Sequence, residues 1–249
     1  MKDLIKLDNR KIFITGASSG IGRETAKVLA DLGASCVMAA RREDELKKTL
    51  SLLNGDGHSY YVLDLAEIEK LEQRIKEITG KEGPFDGYVH CAGLANDRPL
   101  LYTKYDIAHK IMSVNYFAYL EITRCLTKRG CYNPGFSIVG ISSISAKTCR
   151  PSQTAYSASK AAMDAMMKCL ALELSSKSIR INNIAPGMIA TEMYAEYKQK
   201  YGYDETHLKR EGRLGVGEPK DIAFMVAYLL SDTAKFITRS CIEISGGGH

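Results

Sequence analysis

Short apolar runs alternate with longer amphipathic stretches along this chain of 249 residues, and that alternation constrains the fold more than any other feature. The first run, Lys11–Thr15, is followed by a stretch from Gly20 to Leu32 whose apolar residues recur with the helical period. The further predicted strands are Ser35–Ala39, His58–Leu63, Gly87–Cys91, Phe136–Ile141, Ile179–Ala185 and Cys241–Ile244. Strands this apolar are buried on both faces, with the intervening helices as crossovers. The pattern predicts an α/β fold, a doubly wound parallel sheet of about seven strands with helices on both faces.

No linker, repeat or low-complexity tract divides the chain, so we expect residues 1–249 to form a single domain. After the first helix, the predicted helices are one from about Glu43, one from about Glu67 to Thr79, Tyr105–Thr127, Ala155–Leu174 and Pro219–Leu230. The longest irregular segment, residues 188–217, is too long for a passive connection. We expect it to form a lid over the substrate.

The composition of this lid leaves its role open. Its tyrosines, Tyr194, Tyr197 and Tyr201, are spaced to share a helical face, and they either line a pocket or pack the lid onto the body. Its charged residues are Glu192, Glu196, Lys198, Lys200, Lys209, Arg210 and Arg213. They either meet an anionic or sugar-like substrate or form a solvated face.

A glycine-rich turn joins the first strand to the first helix, in the spacing Gly-x-x-x-Gly-x-Gly. Gly16 permits a tight turn, and Gly20 and Gly22 allow the backbone to approach a ligand closely. The helix N-terminus behind them offers unpaired N–H groups and a positive dipole end to a pyrophosphate. An ordinary βα turn also uses glycine, but the strand before and the helix after favour a dinucleotide site. The Gly-Lys-Ser/Thr ending of a P-loop NTPase is missing.

The end of the second predicted strand indicates which nicotinamide cofactor is bound. Folds that bind NAD usually place an acidic residue there to hold the ribose hydroxyls. Here Ala40 takes that position, and Arg41 and Arg42 follow. Because guanidinium groups suit a 2′-phosphate, we expect NADP(H) to be preferred, with NAD(H) still possible. Asp64, just after the third strand, either accepts from the adenine amino group or caps the next helix.

Composition and charge exclude several classes of function. The 34 basic and 29 acidic residues are scattered, which is not typical of a nucleic-acid-binding protein. No apolar run reaches the roughly 20 residues that cross a bilayer, and the N-terminal segment lacks the features of a secretory signal. We therefore expect a cytoplasmic protein with no membrane or nucleic-acid partner. The seven cysteines form no Cys-x-x-Cys pair and the histidines are isolated, so we expect reduced, buried thiols and no metal site.

Tyr156 and Lys160 stand four residues apart at a predicted helix start, which places both on one helical face. Reduction of a ketone needs a proton on oxygen, and a free tyrosine has a pKa of about 10. A nearby ammonium, together with oxidised nicotinamide, lowers that pKa and makes tyrosine a usable acid/base. Ser143, at the end of the fifth strand, is placed to hold the same substrate oxygen. Alone, Tyr-x-x-x-Lys is more often a surface helix pair.

Taken together, these motifs resemble those of the short-chain dehydrogenase/reductase family over essentially its whole single-domain length. The matching positions are Thr15–Gly22, Asn115, Ser143, Tyr156, Lys160, Pro186-Gly187 and Thr191. The resemblance implies a Rossmann-like fold and hydride transfer between a nicotinamide and a carbonyl or secondary alcohol. It also implies that Asn115 keeps a proton-relay water in place and that Lys160 binds the nicotinamide ribose.

The resemblance completes a set of candidate site residues. The catalytic candidates are Asn115, Ser143, Tyr156 and Lys160. The cofactor-binding candidates are Gly16, Ser18, Ser19, Gly20, Ile21, Gly22, Arg41, Arg42, Asp64, Leu65, Cys91, Ala92, Gly93, Tyr156, Lys160, Pro186, Gly187, Ile189 and Thr191. Two positions depart from the family pattern: Cys91 stands where the family has asparagine before Ala-Gly, and Ser245 stands where it often has aspartate before Gly-Gly. Without the asparagine, its local side-chain hydrogen bonds are lost.

The substrate stays open between two classes. The layout resembles 3-oxoacyl-(acyl-carrier-protein) reductases, in which basic residues near the active-site mouth receive an acidic carrier. Lys128, Arg129 and Lys177 lie roughly where such residues are expected, although Gly130–Gly135 has the character of a small insertion. The other class comprises sugar, steroid or polyol dehydrogenases. A protein that senses NADP(H) without turnover is a third alternative, but such proteins tend to lose the tyrosine or the lysine.

Family members usually assemble as dimers or tetramers through the two long helices that flank the fifth strand. The second of these helices carries an apolar stripe of Ala161, Ala165, Met166, Cys169, Leu172 and Leu174. This stripe suits burial either within one subunit or between two. We therefore expect a homo-oligomer, with dimer and tetramer both open.

Overall fold

All seven predicted strands form, and they lie side by side in one parallel sheet in the order β3-β2-β1-β4-β5-β6-β7. The structure is a computed structural model that describes residues 5–201 and 213–248. The strands are β1 Lys11–Thr15, β2 Ser35–Ala40, β3 Ser59–Val62, β4 Phe85–His90, β5 Tyr132–Ile141, β6 Arg180–Pro186 and β7 Cys241–Ile244. The predicted Rossmann-like α/β architecture is confirmed.

Helices cover both faces of the sheet, which explains why its central strands are apolar throughout. The helices are α1 Gly20–Asp31, α2 Glu43–Ser51, α3 Ile68–Glu82, α4 Tyr105–Met112, α5 Ala118–Leu126, α6 Ser145–Thr148, α7 Thr154–Glu173, α8 Glu192–Tyr201 and α9 Pro219–Leu230. On one face, α1 and α9 bury residues such as Leu29 and Val226. On the other, α3, α5 and α7 bury residues such as Ile75 and Met167.

The strand order reverses direction between β1 and β4, because β2 and β3 lie to one side of β1 while β4 to β7 lie to the other. In open parallel sheets the carboxyl ends of the strands at such a switch point diverge and leave a crevice. The glycine turn after β1 and the Cys91–Gly93 segment after β4 meet at this crevice. The topology therefore brings together two segments that lie about seventy residues apart in the chain.

Most element ends are shifted by one to three residues from the sequence-based expectations, and the segment expected to be irregular contains α8. Two further differences are larger. The predicted helix Tyr105–Thr127 is split by a π-helical turn, Ser113–Phe117, in which the Ala118 N–H donates to the Ser113 carbonyl five residues back. The strand expected from Phe136 starts earlier, because Tyr132 already pairs with Phe85. The register between β4 and β5 then shifts, and Gly135 takes a positive φ of 81°, as in a bulged strand. Gly130–Gly135 is thus partly strand rather than an inserted loop.

The apolar stripe of α7 divides between the core and the surface. Met166 is buried, whereas Ala161, Ala165, Cys169 and Leu172 lie on an exposed face of the helix, and Leu172 is 58% exposed. An exposed apolar face on this helix agrees with the predicted association between subunits, which stays a prediction. No helix within residues 5–201 and 213–248 is long and apolar enough to cross a membrane.

None of the seven cysteines forms a disulfide in the structure. Cys36 and Cys125 are buried, as the apolar patterns around them predicted. Cys149 and Cys169 are exposed, so the expectation of buried thiols is wrong for these two residues. Cys149 lies in a loop between two helices, and Cys169 lies on the exposed face of α7.

Candidate active site

One continuous cleft at the carboxyl ends of the strands contains all but one of the predicted site residues. Its first part, the nucleotide cleft, is lined by Gly16, Ser18, Ser19, Gly20, Ile21, Gly22, Arg41, Arg42, Asp64, Leu65, Cys91, Ala92, Gly93 and Thr191. Its second part, the substrate pocket, is lined by Ser143, Tyr156, Lys160, Pro186, Gly187 and Ile189, and shares Ile21, Cys91, Gly93 and Thr191 with the first. The exception is Asn115, which lies behind Gly93.

The glycine turn leaves no room for side chains. A Cβ built on Gly16, where φ is +73°, would lie 2.5 Å from the Ala92 nitrogen. A Cβ on Gly22 would lie 2.2 Å from the Gly16 carbonyl oxygen. Both glycines are therefore required for β1, α1 and the segment after β4 to meet at this crevice.

The N-terminus of α1 opens on the nucleotide cleft with its first N–H groups available. The preceding Ser19 makes no side-chain cap to the helix. Its hydroxyl instead accepts a hydrogen bond from Arg42 at 2.7 Å. Uncapped N–H groups and a positive dipole end suit the pyrophosphate of a dinucleotide, so these residues fit the cofactor that the glycine turn predicts.

Two arginines line the far end of the nucleotide cleft, after β2. The Arg42 guanidinium also lies 3.4 Å from the carboxylate of Glu192, the first residue of α8, and both side chains are about half exposed (52% and 54%). This ion pair spans the mouth of the cleft from the body to the lid. Asp64 lines the same end and accepts a hydrogen bond from the Ala66 N–H at 2.9 Å, so it both faces the cleft and caps the turn before α3.

The three residues predicted for acid/base chemistry converge in the substrate pocket. Tyr156 and Lys160 lie one turn apart in α7, and the Lys160 Nζ is 5.8 Å from the centre of the Tyr156 ring. Lys160 is only 4% exposed, and its Nζ donates to the Ile141 carbonyl at 2.7 Å. Ser143, just past the end of β5, accepts a hydrogen bond from the Ser145 N–H at 3.1 Å. The strand end and the helix thus bring a hydroxyl, a phenol and an ammonium to one point.

Burial dominates the acidity of these groups. It lowers the pKa of Lys160 from 10.5 to about 8, while the carboxylate of Asp164 acts in the opposite direction. Burial also raises the pKa of Tyr156 above its ordinary 10.0, although the hydrogen bond with Ser143 lowers it in part. The sequence predicted a lowered pKa from Lys160 and oxidised nicotinamide. Among the protein's own groups, desolvation of the phenolate outweighs the hydrogen bond with Ser143. The lowered pKa beside an oxidised nicotinamide stays a prediction.

Asn115 belongs to the π-helical turn and is fully buried. Its side-chain oxygen accepts from the Leu94 N–H at 2.7 Å, and its amide donates to the Leu94 carbonyl at 3.0 Å and to the Ser159 hydroxyl at 2.8 Å. Gly93 of the cleft lies close by, since a Cβ built on it would lie 3.6 Å from the Asn115 oxygen and 3.5 Å from the Lys160 Nζ. Asn115 therefore ties the segment after β4 to α7 directly beneath the cleft.

Cys91, which departs from the family pattern, lines both parts of the cleft. Burial raises the pKa of its thiol to about 12, so the thiol stays protonated. The backbone of Cys91 is paired with the end of β1, because the Cys91 N–H donates to the Thr15 carbonyl at 3.1 Å. Replacement of asparagine by cysteine thus leaves the backbone geometry at this strand end in place.

Several residues of the substrate pocket were not singled out from the sequence. They are Ala95, Asp97, Ile144, Arg150, Gln153 and Met188. The Gln153 amide donates to the Asp97 carboxylate at 3.2 Å, which joins two loops 56 residues apart at the pocket wall. Gln153 stands three residues before Tyr156, and a polar residue so close to the candidate acid/base was the one available signal. Asp97 has no comparable signal, because its loop is irregular.

The lid is only partly described. Tyr194, one of the three predicted tyrosines, lines the substrate pocket with Met193. The side chains of Tyr197, Lys200 and Tyr201 lie outside the described part of the structure, as do Lys209 and Arg210 altogether. Of the charged lid residues, Glu192 reaches the nucleotide cleft through its contact with Arg42.

One of the three basic residues that were expected to receive an acidic carrier, Lys128, already forms an ion pair within the chain. Lys128 and Arg124 both bind the carboxylate of Glu72 on α3. Arg129 and Lys177 are exposed. All three expected residues precede β5 or β6 by a few positions, so they lie at the amino ends of these parallel strands. The cleft lies at the carboxyl ends, so within one chain the expectation that these residues lie near the active-site mouth is wrong. The ion pair of Lys128 with Glu72 reduces the positive charge that this residue presents to a partner.

Comparisons with known proteins agree with this geometry. The family model described as enoyl-(acyl carrier protein) reductase matches residues 16–249. The chain is 31% identical over 246 residues to a 3-oxoacyl-(acyl-carrier-protein) reductase of Thermotoga maritima, covering 98% of this chain and 99% of that one. It is 32% identical over 256 residues to the (3R)-3-hydroxyacyl-CoA dehydrogenase of Homo sapiens, covering 97% and 96%. A solved 4-hydroxyisoleucine dehydrogenase complexed with NADH superposes with a TM-score of 0.88 at 30% identity, covering 96% and 98%.

Proposed function

The chain belongs to the short-chain dehydrogenase/reductase family of oxidoreductases, and we propose that it reduces a carbonyl, or oxidises the corresponding secondary alcohol, with NADP(H) and with Tyr156 as the acid/base. The observation that carries the proposal is the convergence of Ser143, Tyr156 and Lys160 in a pocket that continues into the nucleotide cleft. The residues of the nucleotide cleft would hold the cofactor, and Ser143, Tyr156 and Lys160 line the pocket that adjoins it.

When bound, the cofactor supplies or accepts the hydride. In the reductive direction the Tyr156 hydroxyl donates the proton to the substrate oxygen, and the Ser143 hydroxyl donates a second hydrogen bond to it. A raised pKa suits this direction, because Tyr156 stays protonated until the substrate oxygen gains negative charge. Lys160, held by the Ile141 carbonyl, stabilises the phenolate that remains. By resemblance to the family, Asn115 is the residue that we assign to hold a proton-relay water.

The preference for NADP(H) rests on the arginines after β2. Ala40 offers no carboxylate to ribose hydroxyls, and Arg41 and Arg42 both line the end of the nucleotide cleft where a 2′-phosphate would lie. One solved relative is complexed with NADH, so the proposed preference rests on this chain's own residues. The positive charge of Arg41 and Arg42 at this end of the cleft therefore supports a preference for NADP(H) over NAD(H).

A 3-oxoacyl thioester is the first substrate class to test. Two relatives at 31% and 32% identity are named for 3-oxoacyl or 3-hydroxyacyl thioesters, one on a carrier protein and one on coenzyme A. The pocket beside Tyr156 has apolar walls at Ile144, Met188 and Met193, which suit an acyl chain. Small ketones of the sugar, steroid or polyol classes form the comparison panel.

The test is NADPH oxidation by the full chain, followed by the loss of absorbance of the reduced nicotinamide. The substrates are a 3-oxoacyl thioester on acyl carrier protein, the same acyl group on coenzyme A, and a panel of sugar, steroid and polyol ketones. We expect the highest kcat/KM on a thioester, and lower activity when NADH replaces NADPH. Tight NADPH binding without turnover of any carbonyl would instead favour a cofactor-sensing role.

A further inference from the structure

His90, the last residue of β4, is fully buried directly beneath the cleft and takes no part in the chemistry described above. Its ring stacks on Tyr119 with centres 4.9 Å apart and an angle of 14° between the planes. A buried imidazole costs free energy unless its ring nitrogens are hydrogen-bonded, so the partners of His90 identify what it holds.

The contacts of the two ring nitrogens define the tautomer. Nδ1 lies 2.8 Å from the Tyr88 hydroxyl and 3.0 Å from the Thr15 hydroxyl, and both hydroxyls are able to donate. Nε2 lies 3.3 Å from the Val114 carbonyl oxygen, which only accepts. The proton therefore belongs on Nε2. Burial lowers the pKa of His90 to about 3, so the imidazole is neutral wherever the protein is folded near neutral pH.

Val114 lies in the π-helical turn Ser113–Phe117, immediately before Asn115. In a π-helical turn the backbone hydrogen bonds join residues five apart rather than four apart, which widens the helix. The carbonyl groups in the turn are then less well paired within the helix. The Nε2–H of His90 supplies a partner from outside the helix at this point. The next residue in the chain then directs its amide at Leu94 and Ser159.

We propose that His90 is a positioning residue of the active site: the hydrogen bond from its Nε2–H to the Val114 carbonyl holds the π-helical turn that aims the Asn115 side chain at Leu94 and Ser159. The importance of Asn115 rests on the proposed function. The hydrogen bond from His90 to Val114 does not depend on the proposed function, and it is tested separately. His90 ends β4 and directly precedes Cys91, which lines the cleft. The same residue therefore links β4 to the π-helical turn that contains Asn115.

Three variants separate this role from simple core packing. His90→Leu keeps the volume but removes both ring nitrogens. His90→Gln keeps a donor at the position of Nε2. Tyr88→Phe is the matched control, because it removes a hydroxyl from the same buried cluster without touching Val114.

The first measurement is amide hydrogen exchange of the segment 113–119 in the protein alone. We expect His90→Leu to speed exchange in this segment about tenfold, as the loss of one hydrogen bond predicts, and His90→Gln and Tyr88→Phe to stay within about threefold of the parent. Equal exchange in the parent and in His90→Leu overturns the proposal, as does an equal rise in Tyr88→Phe. These results need no substrate, so they are independent of the proposed activity.

The second measurement is the ¹⁵N spectrum of the parent, which serves even if His90→Leu does not fold. We expect a protonated Nε2 and an unprotonated Nδ1 for His90, and the opposite tautomer overturns the proposal. The third measurement is turnover: kcat of His90→Leu should fall about tenfold with KM within about twofold of the parent, and His90→Gln should recover most of it. A rise in KM with kcat unchanged, or no recovery in His90→Gln, contradicts a positioning role.

Discussion

Removal of the Arg42 guanidinium should weaken NADPH binding and leave NADH binding unchanged. Arg42 already donates to Ser19 at 2.7 Å and faces Glu192 at 3.4 Å, and its side chain is 52% exposed. A charge-assisted hydrogen bond to a buried phosphate contributes about 1.5–3 kcal/mol. Exposure and competition from Glu192 reduce this, so we expect about 1.4 kcal/mol for Arg42→Ala, or about tenfold in the Kd of NADPH.

The assay is a calorimetric titration of NADPH and of NADH into the parent, Arg42→Ala and Glu192→Gln at one fixed ionic strength. Glu192→Gln frees Arg42 from its partner, so NADPH should bind about two- to threefold more tightly to this variant. Higher salt should reduce the difference between the Kd values of NADPH and NADH, because the contact of Arg42 with the 2′-phosphate is partly exposed. An equal loss of affinity for NADPH and NADH in Arg42→Ala would refute the assignment, since the arginine would then contact a part that both cofactors share.

Three further perturbations test other parts of the structure. Gly16→Ala should lower the free energy of unfolding by about 2 kcal/mol or more, because its Cβ would lie 2.5 Å from the Ala92 nitrogen at a positive φ. Gly130→Ala, also at a positive φ but with no atom within 4 Å, should cost about 1 kcal/mol in the same denaturant titration; equal losses would contradict the clash. For the pH dependence, kcat/KM for carbonyl reduction should decline above about pH 8, because Lys160, whose pKa burial lowers, loses its proton there. Lys160→Arg stays charged and should move this decline to higher pH; an unchanged profile would assign it to another group. Leu172→Glu, on the exposed face of α7, should shift the mass measured by light scattering toward the monomer, and an unchanged mass would place the subunit interface elsewhere.

The sequence predicted the strands and the doubly wound architecture because these depend on patterns that are local in the chain. Several residues of the cleft, such as Cys91–Gly93 and Pro186, were predicted only from the family resemblance. Apolar runs define buried strands, and the glycine spacing after β1 defines the turn. The π-helical turn was not predicted, because the apolar positions of Tyr105–Thr127 were interpreted as one uninterrupted helix. The early start of β5 was missed because Pro134 and Gly135 read as a loop, although a bulge accommodates them.

The residue types that meet in the site were predictable from the sequence, but the directions of their pKa shifts were not. The proximity of Tyr156 and Lys160 follows from the helical period, whereas the direction of the Tyr156 pKa depends on burial, which local spacing does not reveal. Asp97 and Gln153 meet only in the folded chain. His90 read as an ordinary residue of an apolar strand, and its contact with Val114 required the three-dimensional structure.

Turnover by Tyr156→Phe, measured beside its NADPH affinity, tests the central claim most directly. The phenol is the proposed proton donor, so kcat should fall by about 10²–10⁴-fold while the Kd of NADPH stays within about threefold of the parent. Tyr194→Phe is the matched control, because Tyr194 lines the same pocket without an assigned proton transfer, and it should keep most of the activity. Substantial turnover by Tyr156→Phe, or equal losses in the two variants, would contradict the assignment of Tyr156 as the acid/base.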